Sequence, residues 1–142
     1  MIKKLILTIV LMGCSIASAA DILVIVNADS SVDGLTHKQA VDLFMGRVTA
    51  FPNNKPAVTL DLETGTPLRA HFYKALTGKS EAQVDAYWAT LVFAGRMTQP
   101  KQYDSEQTLI QTVADNSSAI AYVDKQPLPA NVKVVLELPS EE

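Results

Sequence analysis

Ile22-Leu23-Val24-Ile25-Val26 is a continuous apolar run of strand length, the pattern of a strand buried on both faces. Such a strand cannot stand at the surface, so the rest of the chain has to supply a sheet around it and helices over it. The residues after it are punctuated accordingly. Asn27-Ala28-Asp29-Ser30-Ser31 is a polar turn, and Thr36 is a good helix N-cap. Ala40/Val41 and Phe44/Met45 repeat at helical spacing, and Gly46 stops the helix. Phe51-Pro52-Asn53-Asn54-Lys55-Pro56 reads as a loop, and Val58-Thr59-Leu60-Asp61-Leu62 alternates like a strand.

A second helix is expected from Thr66 as N-cap and Pro67 at the first helical position, with Leu68, Phe72 and Leu76 on one face and Gly78 as its end. The third starts at once: Ser80 and Gln83 form a capping box, and Val84, Trp88, Leu91 and Val92 make the buried stripe before Gly95. Residues 96–104 read as polar loop, and Ser105 opens a helix carrying Leu109, Ile110 and Val113. Ala119-Ile120-Ala121-Tyr122-Val123 and Val132-Lys133-Val134-Val135-Leu136 read as strands on either side of a loop with Pro127 and Pro129. The expected order is βαβαααββ, which predicts one small α/β domain of two or three layers with a mostly parallel or mixed sheet.

The chain opens as a secretory leader does: Lys3 and Lys4, an apolar stretch over residues 5–12, then Ala17-Ser18-Ala19 as a small-x-small cleavage motif. Cleavage is expected after Ala19, or next after Ala20, giving a leader over residues 1–19, a domain over 20–142 and a periplasmic location. The apolar stretch is far shorter than the roughly 20 residues of a membrane span. Leu11-Met12-Gly13-Cys14 offers a rival reading, a lipid-modified Cys14 at a membrane surface. Removing the leader takes the only cysteine with it, which excludes disulfides, thiolate catalysis and zinc-cysteine sites. It also takes the formal charge from −3 to −5, and an acidic chain without a Lys/Arg run argues against nucleic acid as a partner.

Glu63-Thr64-Gly65-Thr66-Pro67-Leu68-Arg69 is the stretch with chemistry in it. A tight turn running into a helix points unpaired N–H groups outward, and the helix dipole adds partial positive charge, so oxyanions are attracted there. Thr64 and Thr66 offer hydroxyls, Gly65 lets an anion approach the backbone, and Arg69 stands on the first turn. Arg47, after the preceding helix, offers a second charge if the fold brings it near. An ordinary helix start reads the same way: Thr66-Pro67 is a common opening, Gly65 a common turn residue, and Arg69 then simply solvated. Pro67 removes one N–H, and Glu63 sets a carboxylate beside the turn.

Leu35-Thr36-His37-Lys38-Gln39-Ala40-Val41-Asp42-Leu43-Phe44-Met45-Gly46-Arg47 followed by Thr64-Gly65-Thr66 resembles the phosphate-binding members of the periplasmic solute-binding proteins of ABC transporters. In them a capped "LTxxQxxxIFxGK" helix precedes an "SGT" anion turn. Phe72 after the turn and the late strand Ala119-Ile120-Ala121-Tyr122-Val123, close to "AIGYV", extend the likeness. The arginine that precedes "SGT" in that family is replaced here by Thr59-Leu60-Asp61-Leu62. The resemblance implies one lobe of a type 2 periplasmic-binding-protein fold that binds an oxyanion, phosphate first, through Thr64, Gly65, Thr66, Arg69 and Arg47. It also implies partners of that system: a transporter permease, a membrane sensor, or a second copy of the chain. A module of the same fold that has lost its ligand and works through protein contacts is the alternative.

Other chemistry is soon bounded. His37 and His71 fall on different helices without a second ligand at metal-site spacing, so no metal is expected. Neither a Gly-x-Ser-x-Gly elbow nor a Walker loop nor a convincing carboxylate pair is present, so neither catalysis nor a cofactor is expected. Trp88 lies on an apolar stripe and reads as core.

Overall fold

The computed structural model describes residues 21–139; the expected leader, with Cys14, lies outside the described residues. The elements follow as β1 (Ile22–Asn27), α1 (His37–Phe44), β2 (Val58–Leu62), α2 (Pro67–Thr77), α3 (Glu81–Phe93), β3 (Lys101–Tyr103), α4 (Glu106–Asp115), β4 (Ala119–Asp124) and β5 (Val132–Leu138). The expected capping box of Ser80 with Gln83 forms, and Thr36 forms a second with Gln39, so two orphan N–H groups are satisfied at each helix start. No helix among the described residues is long and apolar enough to cross a membrane.

Five strands make one mixed sheet in the order β3-β2-β4-β1-β5. β2 runs parallel to β3 and β4, while β1 lies antiparallel between β4 and β5. Each residue of β1 is buried, as are the first five of β4, so layers cover both faces of the sheet's centre. The helical layer over β4 is aromatic. Phe72 of α2 stacks on Tyr122 with ring centroids 3.7 Å apart, and Phe44 of α1 meets Phe72 edge-on at 4.8 Å. Aromatic pairs of this kind add about 0.5–1.5 kcal/mol each beyond their buried area. Asn27, at the end of β1, donates its amide to Val113 O and Ala114 O at 3.0 and 2.9 Å and so satisfies two carbonyls at the end of α4.

Two readings of the sequence are corrected. Residues 96–104 are not all loop, since Lys101, Gln102 and Tyr103 pair in parallel with Leu60, Asp61 and Leu62. An edge strand of three residues held by main-chain bonds has too short an alternation to be read from side chains. Val92 is not core either: α3 turns Val84 and Trp88 inward, and Val92 stands one residue round from half-buried Leu91, where it is exposed. Trp88 itself is buried, as expected.

Candidate anion-binding turn

β2 runs through buried Leu60, Asp61 and Leu62 and ends in the turn that opens α2. Gly65 holds φ at +94°, a left-handed conformation that favours glycine at this point of the turn. Thr66 occupies the N-cap position, but its side chain caps nothing: the hydroxyl donates back to Glu63 O at 2.6 Å. The hydroxyl of Thr64 accepts from Gln102 Nε2 at 3.3 Å, which ties the turn to β3.

The main correction concerns Arg69. It is neither solvated nor free, but fully buried among three carboxylates. Its Nε donates to Asp61 Oδ2 at 3.1 Å, Nη1 donates to Glu81 Oε1 at 3.0 Å, and Nη2 stands 3.0 Å from Asp85 Oδ1 without hydrogen-bond alignment. The guanidinium also lies over the Tyr73 ring, 5.2 Å from its centroid. Glu81 and Asp85 are four residues apart on α3 and so share one face, which meets the first turn of α2.

Asp61 is the innermost of the three acids. It accepts from Tyr73 Oη at 2.9 Å and from Tyr122 Oη as well as from Arg69. Burial pushes its carboxyl above the ordinary 3.8, against the opposing pull of the Tyr122 bond and the Arg69 charge. Burial alone would lower the pKa of Arg69, but the Asp61 charge, joined by Tyr73 and the contacts with Asp61 and Asp85, outweighs it and the guanidinium is held above its ordinary value. Both tyrosines are pushed up, by burial first and then by the Asp61 charge, so they remain donors.

Glu81 does at the turn what an anion would do. Its Oε1 accepts from Gly65 N at 2.7 Å and from Arg69 Nη1 at 3.0 Å, so one carboxylate oxygen already sits on a backbone donor and a cation of the expected site. Thr64, Gly65, Thr66 and Arg69 are thus brought together, with the chain's own carboxylate among them. Arg47 is occupied elsewhere: exposed, it reaches Asp42 Oδ1 at 3.4 Å. His71 is exposed, and among the described residues no group of three His, Cys, Asp or Glu is placed to hold a metal. Sequence reasoning missed Asp61, Glu81 and Asp85. The available signals were an acid between two leucines in a strand and two acids at i, i+4 on a helix.

No protein-family model matches the chain, and the curated proteins yield no relative. Solved structures do match. One is described as a phosphate ABC transporter substrate-binding protein from Clostridium perfringens with bound phosphate; at 21% identity and a TM-score of 0.66 the match covers 82% of this chain and 45% of that one. An ABC-type phosphate transport receptor from Vibrio cholerae matches at 15% identity and TM-score 0.66, over 86% of this chain and 56% of that one. PstS from Borrelia burgdorferi matches at 10% identity and TM-score 0.57, over 75% and 41%. This chain therefore spans about half the length of the structures it resembles. Its fold is that of one lobe of these substrate-binding proteins.

Proposed function

We propose that this chain is an exported solute-binding-type domain that takes an oxyanion, phosphate first, on the donors of residues 64–69, in competition with its own Glu81. The observation that carries this reading is the double contact of Glu81 Oε1 with Gly65 N and Arg69 Nη1, because donors that hold one carboxylate oxygen suit an oxygen of phosphate equally well. The fold likeness to proteins described as phosphate receptors supports the choice of anion. Glu81 is the acid best placed to yield. It contacts the turn from the first residue of α3 with its side chain 18% exposed, while Asp61 is locked at 1%.

An internal competitor acts at the effective concentration of a tethered group, of millimolar order, so external anion binds weakly until it exceeds that level. Calorimetric titration with phosphate and sulfate tests this. The parent chain should bind phosphate in the millimolar range, and Glu81→Gln should bind it at least tenfold more tightly. Heat from neither protein overturns the reading. A second reading, a protein-interaction module of the same fold working with a permease or membrane sensor, is favoured by Phe93. That side chain stands 96% exposed at the end of α3, next to exposed Val92.

A further inference from the structure

A cavity of about 600 Å³ lies beside the N-terminal half of β2, away from the turn, and its size falls within the range of small-molecule sites. Leu43, Trp88 and Met97 give it an apolar wall, while Arg96 and Lys101 add two cations. No acid lines it. Neither cation has an ion-pair partner among the described residues, in a chain whose formal charge is −3. Lys101 Nζ is held only 5.2 Å from the centroid of the Tyr103 ring, which also lines the cavity. Trp88 contributes its ring to the wall, while its Nε1 is itself buried from solvent and has no hydrogen-bond acceptor among the described residues.

Gly46 sets the position of the wall. A Cβ there would stand 2.2 Å from Met97 Cε and 2.7 Å from Trp88 Cη2, so the helix end, the indole and the methionine pack at the closest approach glycine allows. That leaves the Trp88 ring a fixed surface.

We propose that this cavity is a binding site for a small organic anion, with its apolar body against Trp88, Leu43 and Met97 and its acidic group at Arg96 and Lys101. An inorganic anion has no body to lay on that wall, and a neutral apolar molecule leaves both cations unused. The site is distinct from the turn occupied by Glu81 and does not depend on it.

Trp88 is the only tryptophan of the chain and its ring lines the cavity, so its indole N–H gives one resolved resonance beside the site. Benzoate and hexanoate are the probes, with benzyl alcohol as the uncharged control and inorganic phosphate as the bodiless one. A saturable shift of the indole resonance is expected with benzoate or hexanoate, at least tenfold tighter than with benzyl alcohol or phosphate. In the Arg96→Gln/Lys101→Gln double variant, both exposed positions, benzoate should fall to the level of benzyl alcohol with the circular dichroism unchanged. Glu81→Gln should leave the benzoate titration as it is, which separates this result from the fate of the phosphate reading. Absence of a saturable shift with both organic anions overturns the proposal, as does equal binding of benzoate and benzyl alcohol by the parent chain.

Discussion

Beyond the C-terminal end of β2 one guanidinium is shared by three carboxylates, whereas beside the N-terminal half of the same strand two cations face a cavity that no carboxylate among the described residues lines. The difference follows from access to water. Arg69 is shut away, and a charge in that position needs partners or the fold does not form. Arg96 and Lys101 are exposed, so solvent still hydrates them and they can stand unmatched. Charge at the first end is therefore committed to the chain's own acids, and an external anion reaches it only by displacing Glu81. At the second end it is spare, and spare charge beside an apolar wall is what a ligand needs.

The sharpest way to break this contrast is to remove the committed cation. Arg69→Ala leaves Asp61 buried without its cation and facing two more acids, and should cost about 3–5 kcal/mol in urea unfolding, a large share of a small domain's total. Arg69→Lys should rescue little of this, since an ammonium cannot present the fork that meets three carboxylates at once. A loss under about 1 kcal/mol for the alanine variant would mean that the network is not what holds the first end together.

Next in size is Gly46→Ala, which tests the second end. The flexible end of Met97 can move aside, but the Trp88 ring cannot without disturbing the core, and φ at +70° disfavours alanine in any case. A loss of about 1–3 kcal/mol is expected, together with a shift in Trp88 emission. Equal stability with unchanged emission would show the wall to be softer than its packing implies.

The smallest effect is in the pH dependence, where two acids pull in opposite directions. Asp61 is raised above 3.8 in the folded chain, so the native state holds its proton more tightly than the unfolded one; its contribution is present at low pH and is lost as pH rises through the folded value. Asp42 is lowered below 3.8, first by the Lys38 bond, so its contribution is present above 3.8 and is lost as pH falls through the folded value. Thermal melts across the acid range should therefore show a steeper acid-side decline in Asp61→Asn than in the parent chain, and a shallower one in Asp42→Asn. Identical slopes would remove Asp61 from the account of the first end.

The local elements were readable because each is announced by residues close in sequence. Thr36 with Gln39, Ser80 with Gln83, and Gly46 and Gly78 mark helix ends through contacts within a turn or so of chain. The run over residues 22–26 revealed a strand buried on both faces by itself. The site was readable only as a place. Thr64, Gly65 and Thr66 marked the turn, but the state of Arg69 depends on Asp61, eight residues before it, and on Glu81 and Asp85, twelve and sixteen after it. Nothing near Arg69 in sequence distinguishes a guanidinium waiting for a ligand from one already surrounded. The cavity was illegible for the same reason, since Gly46, Trp88, Arg96 and Lys101 meet only once α1, α3 and β3 are in place.

The placing of β1 bears on how this chain reaches its structure. The first strand is flanked by the last two, with Ile22 opposite Asp124 on one side and Leu138 on the other. No part of the sheet's centre can close early: the loops that bring these partners together enclose about a hundred residues, and their entropy is lost before any of the main-chain pairing is gained. High contact order of this kind slows folding. During synthesis the apolar run of β1 waits, unpaired, until β4 and β5, about a hundred residues further on, have left the ribosome. The same topology that buries the strand so completely in the end thus gives any factor that handles unfolded chains a long interval in which to bind it.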